Sequence, residues 1–434
     1  MSRDSDPNVL LLHSHDLGQH LGCYGYDVKT PAIDGLAADG ARFEEYYCTA
    51  PQCGPSRSSI MTGRHPHENG LMGHYWLGWD IQDGVQTLPQ LLNDAGYTTS
   101  VFGVQHLDED PTSVGFDHVN CESTRAADLA PAVESYLDKR GEEPFFASVG
   151  FFEPHRLGWE RECGFHAPEY DPPDPETVTV PPYLPDIPVV REEIVGLQGL
   201  IRAVDEAVAR ILDSLKAAGL SDDTLVLFTS DHGIAMPRAK GTCFDPGIET
   251  ALVARYPGLF DGGEEYGELL SNVDLLPTVL DLVGVDVPDA VSGRSFLPLV
   301  ADSEYEPRER IFSEMTYHDR YNPMRCVRTE RYKYIRSFAD LPEVYLPLDI
   351  MFGPSGRELF YEYYTDPRPE EELYDLEADP HEQENLIGDP EHSEVAEELR
   401  QEVDDWMRET DDPLLEGDVP IPDEHVQRLR TTPW

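Results

Sequence analysis

Cys53 lies in the run CTAPQCGPSRSSIMTGRH (residues 48–65), two residues before Pro55 and four before Arg57, with a small-residue, helix-ready stretch behind it. A thiol so placed is either the seat of nucleophilic chemistry or a buried structural side chain, the commoner fate of a free cysteine. Four apolar runs elsewhere break into reactive residues: NVLLLHSHD (8–16), TTSVFGVQH (98–106), PFFASVGFFEPH (144–155) and TLVLFTSDHG (224–233). They deliver His15, Asp16, His106, His155, Asp231 and His232. Two carboxylates from the ends of different runs, Asp16 and Asp231, suit a hard divalent ion, Ca²⁺ or Mg²⁺. The imidazoles of His15 and His232 beside them admit Mn²⁺ or even Zn²⁺.

These runs read as buried strands, and they alternate with amphipathic stretches over the first three quarters of the chain, the pattern of an α/β sheet. In open α/β sheets ligands bind beyond the carboxyl ends of the strands, so the runs predict one shared site. Taken singly, each polar pair is equally a strand end or a helix cap. Residues 191–218 carry Ile194, Leu197, Ile201, Val204, Val208, Ile211 and Leu215 at helical spacing and stop at Gly219, which predicts a packing helix. The proline-rich segment 166–188 is expected to be extended and to rim the site. After about residue 320 the runs shorten, and an acidic tail holds a helix over 391–409. The expected organisation is a catalytic α/β domain over 1–320 and a smaller α+β unit over 321–434, its last twenty residues extended.

The formal charge of -52, from 84 acidic against 32 basic residues of which five are lysines, would make a protein repel itself in dilute salt. In molar salt the Debye length falls to about 3 Å and the repulsion is screened, so the composition fits a halophile's cytosol. Such a surface repels nucleic acid and anionic lipid, and neither is expected as a partner. Residues 1–30 lack the charged start, apolar core and small-residue cleavage site of a secretory leader, and no apolar run is long enough to span a bilayer. A soluble, cytoplasmic chain is expected. Seven cysteines without CxxC spacing argue against a disulfide framework or a zinc ribbon.

The motif C-G-P-S-R followed by SSIMTG resembles the sulfatase signature, in which the cysteine is oxidised after translation to formylglycine, an aldehyde. PNVLLLHSHDLG and TPAIDGLAADGARFEEYY are similar to the family's N-terminal metal strand and the helix after it. TSDHG and AKGTCF resemble its second metal strand and lysine loop, and VRTERYKYI and ELYDLEADPHEQENL its C-terminal subdomain. FFEPHR, MRCVRTERYKYI and WMRETDDP are most similar to the heparan N-sulfatase (sulfamidase) branch. The resemblance covers nearly the whole chain. It implies an alkaline-phosphatase-like α/β sandwich with a large mixed, mostly parallel sheet flanked by helices, plus a small C-terminal α+β subdomain with an antiparallel sheet. It also implies hydrolysis of a sulfate ester or N-sulfate of a sugar-like substrate.

Residue roles follow from the same resemblance. Cys53 becomes the formylglycine, made by a formylglycine-generating enzyme. The hydrate of that aldehyde has two hydroxyls on one carbon, one to attack sulfur and one to expel sulfate. Arg57 anchors the hydrate, His106 moves its proton, His155 serves the leaving group and Lys240 contacts the sulfate. Arg156 and His15 are expected to touch substrate, and Asp16, Asp231, His232, Cys53 and His15 to surround the divalent metal, Ca²⁺ before Mg²⁺ or Mn²⁺. This chain departs from the family pattern in having His15-Asp16 for Asp-Asp, Asp231-His232 for Asp-Asn, and Val104 where a lysine contacts nucleophile and sulfate. His13 and His15 alternate along one strand and share a face, so His15 is expected to compensate for Val104 while His13 is a buried strand histidine. The rival readings are a phosphoester or phosphonate hydrolase of the same superfamily, a sulfate-binding non-enzyme and an acidic scaffold.

Overall fold

Strand β1 (Asn8–Ser14) is buried along its whole length because both of its faces are covered. Leu10 and Leu12 enter one hydrophobic core, Val9 and Leu11 the other. Strands covered on both faces read as continuous apolar runs, and parallel sheets are built from them. A computed structural model describes residues 6–141, 143–158, 163–167, 169–301, 303–423 and 426. After β1 come β2 (Ala41–Phe43), β3 (Tyr46–Tyr47), β4 (Thr98–Gly103), β5 (His118–Asn120) and β6 (Phe145–Gly150). β7 (Thr224–Ser230), β8 (Leu252–Arg255), β9 (Glu264–Tyr266) and β10 (Leu270–Ser271) follow. The large sheet has the order β5-β4-β6-β1-β7-β8-β2-β9. It is parallel from β5 to β7, while β8 runs antiparallel to β7 and β2. The mixed, mostly parallel sheet expected from the sequence is present.

Helices close both faces. Ala126–Leu137, Pro188–Ala217 and Pro31–Asp39 pack on one, and Cys53–Thr62, Leu88–Asp94 and Leu275–Val283 on the other. The long helix buries all seven apolar positions read from its spacing. It starts at Pro188, where the missing proline N–H costs nothing, and Gly219 beyond its end is left-handed at φ 72°. The described residues of the proline-rich segment 166–188 border a cleft of about 880 Å³ together with Asp27, Lys29 and the start of this helix, and none of the reactive residues at the strand ends lines that cleft, which the segment borders in place of the expected site.

The four reactive runs leave the sheet earlier than their apolar pattern implies, at Ser14, Gly103, Gly150 and Ser230. Their polar residues therefore sit in loops, two of them left-handed: Asp16 at φ 47° and His106 at φ 56°. Backbone of that kind costs about 1–3 kcal/mol per residue and survives only where its surroundings over-determine it. Gly150 permits the close packing of two of these loops, since a Cβ there would lie 1.9 Å from the Val104 carbonyl oxygen.

The second sheet is antiparallel, in the order β11 (Arg310–Tyr317), β12 (Tyr321–Thr329), β13 (Tyr332–Ser337), β14 (Glu371–Asp375). The change of pattern near residue 320 thus falls in the turn between its first two strands. Helix Ser393–Glu409 covers one face, where Leu399, Val403 and Trp406 meet Val327, Tyr334 and also Leu71, Met72 and Trp79 of the larger unit. The other face packs Met315, Met324, Cys326 and Ile335 on Cys243 and Phe244. Residues 416–422 are irregular, but Val426 N donates to Pro422 O in a helical turn, so the tail is not wholly extended. Residues 424–425 and 427–434 of that expected extended tail lie outside the described residues. No helix among the described residues is long and apolar enough to cross a membrane.

Buried charges tie the units together. Arg325 of β12 pairs with Asp412 and lies 3.2 Å from Glu314, whose other oxygen is 2.8 Å from His67 Nδ1. Burial pushes the Glu314 carboxyl up, but His67 and Arg325 outweigh it and hold it at about 2. The stabilisation from its charged form is complete above the ordinary value of 4.5 and is lost as pH falls through the folded value. Glu314→Gln, which strips Arg325 and His67 of an anion, is expected to cost about 3–5 kcal/mol at pH 7. That penalty should shrink once pH drops below the ordinary carboxylate value. Urea unfolding of both proteins at neutral and acid pH checks this, and a penalty independent of pH would refute it.

Candidate active site

β1 and β7 are adjacent and parallel with Ser14 opposite Ser230, so the loops after them emerge side by side. Asp16 N donates to Asp231 Oδ1 at 2.9 Å. His15 Nδ1 lies 2.8 Å from Asp16 Oδ1 and 3.5 Å from Asp231 Oδ2, and His232 Nε2 lies 3.0 Å from Asp16 Oδ1. None of these four residues has exposed surface. Two carboxylates in a dry pocket repel each other unless cations stand against them. Arg57 Nε reaches Asp231 Oδ2 and Lys240 Nζ reaches Asp16 Oδ2, each at 2.9 Å. Burial opposes ionisation of Asp16, yet Lys240, His155 and His15 hold its carboxyl well below the usual range.

Cys53 is the first residue of a helix that is buried throughout, so Arg57 follows one turn later on the same side. Asn272 Nδ2 donates to the Ser56 carbonyl at 3.1 Å, and the Ser56 hydroxyl donates to the Asp231 carbonyl, docking that first turn against β7. Cys53 Sγ lies 3.5 Å from His232 Nε2 and also meets His106 and His15. Burial would raise the thiol, but His15, Lys240 and the hydrogen bond from His106 draw it well below its ordinary value. The pocket around residue 53 is therefore cationic within a strongly acidic chain.

His13 shares the strand face of His15 but serves Arg57. Arg57 Nη1 is 2.7 Å from His13 Nδ1 and donates to the Val104 carbonyl at 3.1 Å. Burial and the guanidinium push His13 well below its ordinary value, so the neutral ring accepts at Nδ1 and gives its Nε2 proton to Ser148 Oγ at 3.0 Å. Val104 thus enters the site through its carbonyl. His155 fixes Nδ1 on the Arg156 carbonyl at 2.6 Å and turns Nε2 to Lys240 Nζ at 3.2 Å. Burial and Lys240 lower it to about 4, and burial lowers His106 to about 4.

Arg156, expected to bind substrate, is not brought into this pocket. Its Nε donates to the Ala235 carbonyl at 2.7 Å, its Nη1 pairs with Glu193, and it stacks 4.3 Å over Phe165. A guanidinium with 2 % exposure must satisfy its donors locally, and with Met236 Sδ 3.1 Å from Nη2 each of its three nitrogens has a partner outside the pocket. Three residues that the sequence reading did not single out take part instead, all from segments that connect strands of the antiparallel sheet. His318, in the turn after β11, places Nδ1 2.9 Å from Asp319 Oδ1 and meets Cys53. Asp319 also accepts from Leu348 N at 2.9 Å and from Tyr345. Asp349 Oδ2 receives Lys240 Nζ at 2.9 Å. The His-Asp pair in TYHDRY marked the first two, while Asp349 lies in a short run without periodicity. Side-chain exposure of 21 % at His155, 13 % at Asp349 and 11 % at His318, against 0 % at Asp16, puts the mouth of the site on their side.

The donor atoms of His15, Cys53, Asp231 and His232 all lie within 4.8 Å of one another, and His15 Nε2 is buried without a partner. His232 Nδ1 is engaged by the Gly233 carbonyl at 2.9 Å, which leaves Nε2 to face the carboxylates. This set fits a divalent cation.

A mostly parallel sheet sandwiched by helices, with its reactive residues gathered beyond the carboxyl ends of adjacent strands, is an alkaline-phosphatase-like α/β fold. The Sulfatase family model matches residues 7–285, and the model for the C-terminal part of N-sulphoglucosamine sulphohydrolase matches residues 238–365. The chain belongs to the sulfatase family. It is 29% identical to human N-sulphoglucosamine sulphohydrolase over 94% of this chain and 91% of that protein. An ulvan-active sulfatase of Formosa agariphila is 27% identical over 92% of this chain and 74% of the relative. A solved 2-O GAG sulfatase superimposes with a TM-score of 0.74 at 23% identity, covering 99% of this chain and 97% of that one.

His13→Phe, which removes the acceptor of Arg57 Nη1, is expected to destabilise the fold by about 1–3 kcal/mol, the cost of a buried donor left unpaired. A lowered urea midpoint with an unchanged slope would show it. No change in midpoint would mean that Arg57 does not depend on His13.

Proposed function

We propose that this enzyme hydrolyses a sulfate ester or N-sulfate of a sugar-like molecule, with residue 53 as formylglycine and a divalent ion held by Asp16, Asp231, His232 and His15. The observation that carries this reading is the convergence of Lys240, His15, His106 and His318 on Cys53, with Arg57 one turn further along the same helix, in a chain of formal charge -52. A sulfuryl group needs local positive charge that strengthens with the transition state, and preorganised donors supply it. The human relative is by name a hydrolase of N-sulphoglucosamine, which supports the substrate class. Ca²⁺ is the ion the two carboxylates favour, with Mg²⁺ the other hard candidate, and the imidazoles leave room for Mn²⁺. When bound, the ion supplies Lewis acidity, polarising sulfuryl oxygens and acidifying a hydroxyl, and an aldehyde hydrate supplies two such hydroxyls.

The remaining work falls to the chain's own side chains. Asp231 and His13 fix Arg57, so its guanidinium cannot swing away from the first turn of the Cys53 helix. His106, neutral beside residue 53, is placed to take a proton at its ring nitrogen. Lys240 Nζ and His155 Nε2, 3.2 Å apart, hold a proton where the leaving group departs. His318, oriented by Asp319, adds a donor beside residue 53. We place the reaction in a reducing, high-salt cytosol, in keeping with seven free cysteines and the acidic surface, with a formylglycine-generating enzyme as the maturation partner.

One preparation, with residue 53 read by peptide mass spectrometry, should hydrolyse an aryl sulfate and glucosamine N-sulfate in proportion to its aldehyde content and an aryl phosphate far more slowly. Full sulfatase activity with an unmodified thiol would exclude the formylglycine, and a preference for the phosphate would favour a phosphoester hydrolase. Asp16→Ala, which removes one of two buried anions, should lose bound divalent metal in elemental analysis. Stoichiometric metal in that variant would sink the assignment of Asp16.

A further inference from the structure

Asp349 carries an unpaired carboxylate oxygen at the mouth of a site built for anions. It sits on the short helix Leu348–Met351, which is pinned from outside. Leu348 N donates to Asp319 Oδ2 at 2.9 Å, and the Asp349 carbonyl accepts from Cys163 Sγ at 3.0 Å. Oδ2 is taken by Lys240 Nζ at 2.9 Å and lies 3.8 Å from His155 Nε2. Oδ1 is buried and has no hydrogen-bond partner. Native proteins leave few buried acceptors unmade, because each forfeits its hydration without return.

Supporting Lys240 does not account for this carboxylate, since the ammonium already pairs with Asp16 Oδ2 at 2.9 Å. Next to a bound sulfate its charge is repulsive, and weak screening in a buried pocket makes the repulsion stronger. Lys240 and His155 outweigh the effect of burial and hold its carboxyl at about 2, so it remains an acceptor and never a donor. A fixed anion in an anion-binding site is useful when the substrate brings a hydrogen-bond donor to meet it.

We propose that Asp349 is a specificity-determining residue: its Oδ1 accepts a hydrogen bond from an N–H or O–H carried by the leaving-group part of the substrate, on the His155 side of the site. This rests on the sulfatase reading above and adds the chemistry by which that enzyme selects among sulfates. A substrate that brings the donor gains a charge-assisted bond. One that brings only an aromatic ring buries the carboxylate further and leaves it unpaired, the kind of mismatch by which sites reject analogues. An amine nitrogen and a sugar hydroxyl offer the same chemistry to a carboxylate.

The test compares kcat/KM for glucosamine N-sulfate, a glucose O-sulfate and 4-nitrophenyl sulfate in wild type, Asp349→Ala and Asp349→Asn. The ratio of sugar to aryl substrate is expected to fall about 10- to 100-fold in Asp349→Ala, the loss of a hydrogen bond to a charged group. It should fall less in Asp349→Asn, which keeps the shape and an acceptor oxygen without the charge. A fall confined to the N-sulfate identifies the amine as the donor, and one confined to the O-sulfate identifies the hydroxyl. An unchanged ratio in both variants overturns the proposal and reduces Asp349 to a support for Lys240. Should Asp349→Ala fail to fold, the ratio in Asp349→Asn decides. A wild-type enzyme that turns over none of the three sulfates fails the sulfatase reading itself. The rise in melting temperature caused by free glucosamine or glucose, present in wild type and lost in the variants, then decides on Asp349, and no rise in wild type overturns it.

Discussion

Asp16 and Asp231 lie side by side without exposed surface, joined by a hydrogen bond from Asp16 N to Asp231 Oδ1 at 2.9 Å, so two negative charges share a pocket that excludes water. Their repulsion is unscreened there, and only cations at contact distance offset it. Arg57 and Lys240 meet that need. Arg57 is held in turn by His13 and the Val104 carbonyl, and Lys240 bridges Asp16 to Asp349. Because Arg57 must reach Asp231, the helix Cys53–Thr62 has to dock against the β1–β7 edge, and its first residue, Cys53, arrives among the imidazoles as a consequence. The reactive position is therefore fixed by charge balance beneath it.

That balance is completed from the other end of the chain. The antiparallel sheet meets the larger unit on both of its faces, through Leu71, Met72 and Trp79 on one and Cys243 and Phe244 on the other. The buried pair of His67 with Glu314, backed by Arg325, crosses the same junction. Packing on both faces leaves the sheet little freedom to shift, so the turn bearing His318 and Asp319 and the short helix bearing Asp349 are set against Cys53 and Lys240. The deep wall of the site belongs to the α/β sheet, while its mouth belongs partly to the smaller unit. On the reading proposed above, selection of the substrate and activation of the sulfuryl group fall to different parts of the chain.

The charge pattern follows the same division. Acidic residues coat a surface whose repulsion high salt suppresses, whereas the cations of the site are buried, where salt screens them little. One of only five lysines in the chain is Lys240, and it is buried at the centre. A cationic pocket in an acidic shell attracts an anion at short range and repels it at long range in dilute salt, so capture of a sulfated substrate is favoured where ionic strength is high.

The order of strands and helices was legible in the sequence because hydrophobic burial writes a local pattern: the continuous apolar runs that became β1, β4, β6 and β7, and the spaced residues of Pro188–Ala217. The motif around Cys53 and the Asp and His residues beyond the strand ends were legible for the same reason, since each sits at a fixed short distance from an element with a clear period. Orientation was not. Arg156 follows His155 directly, yet its guanidinium turns away to Glu193, a partner 37 residues distant in the chain. His13 and His15 share a strand face, yet one serves Arg57 and the other the carboxylates. His318, Asp319 and Asp349 come from short runs whose period says nothing of where they point. Local sequence determined the elements and the chemistry they could carry. The tertiary structure alone decided which polar side chains face one another, because a buried charge takes its partner from whatever packing brings within hydrogen-bond reach, however far apart the two lie in sequence.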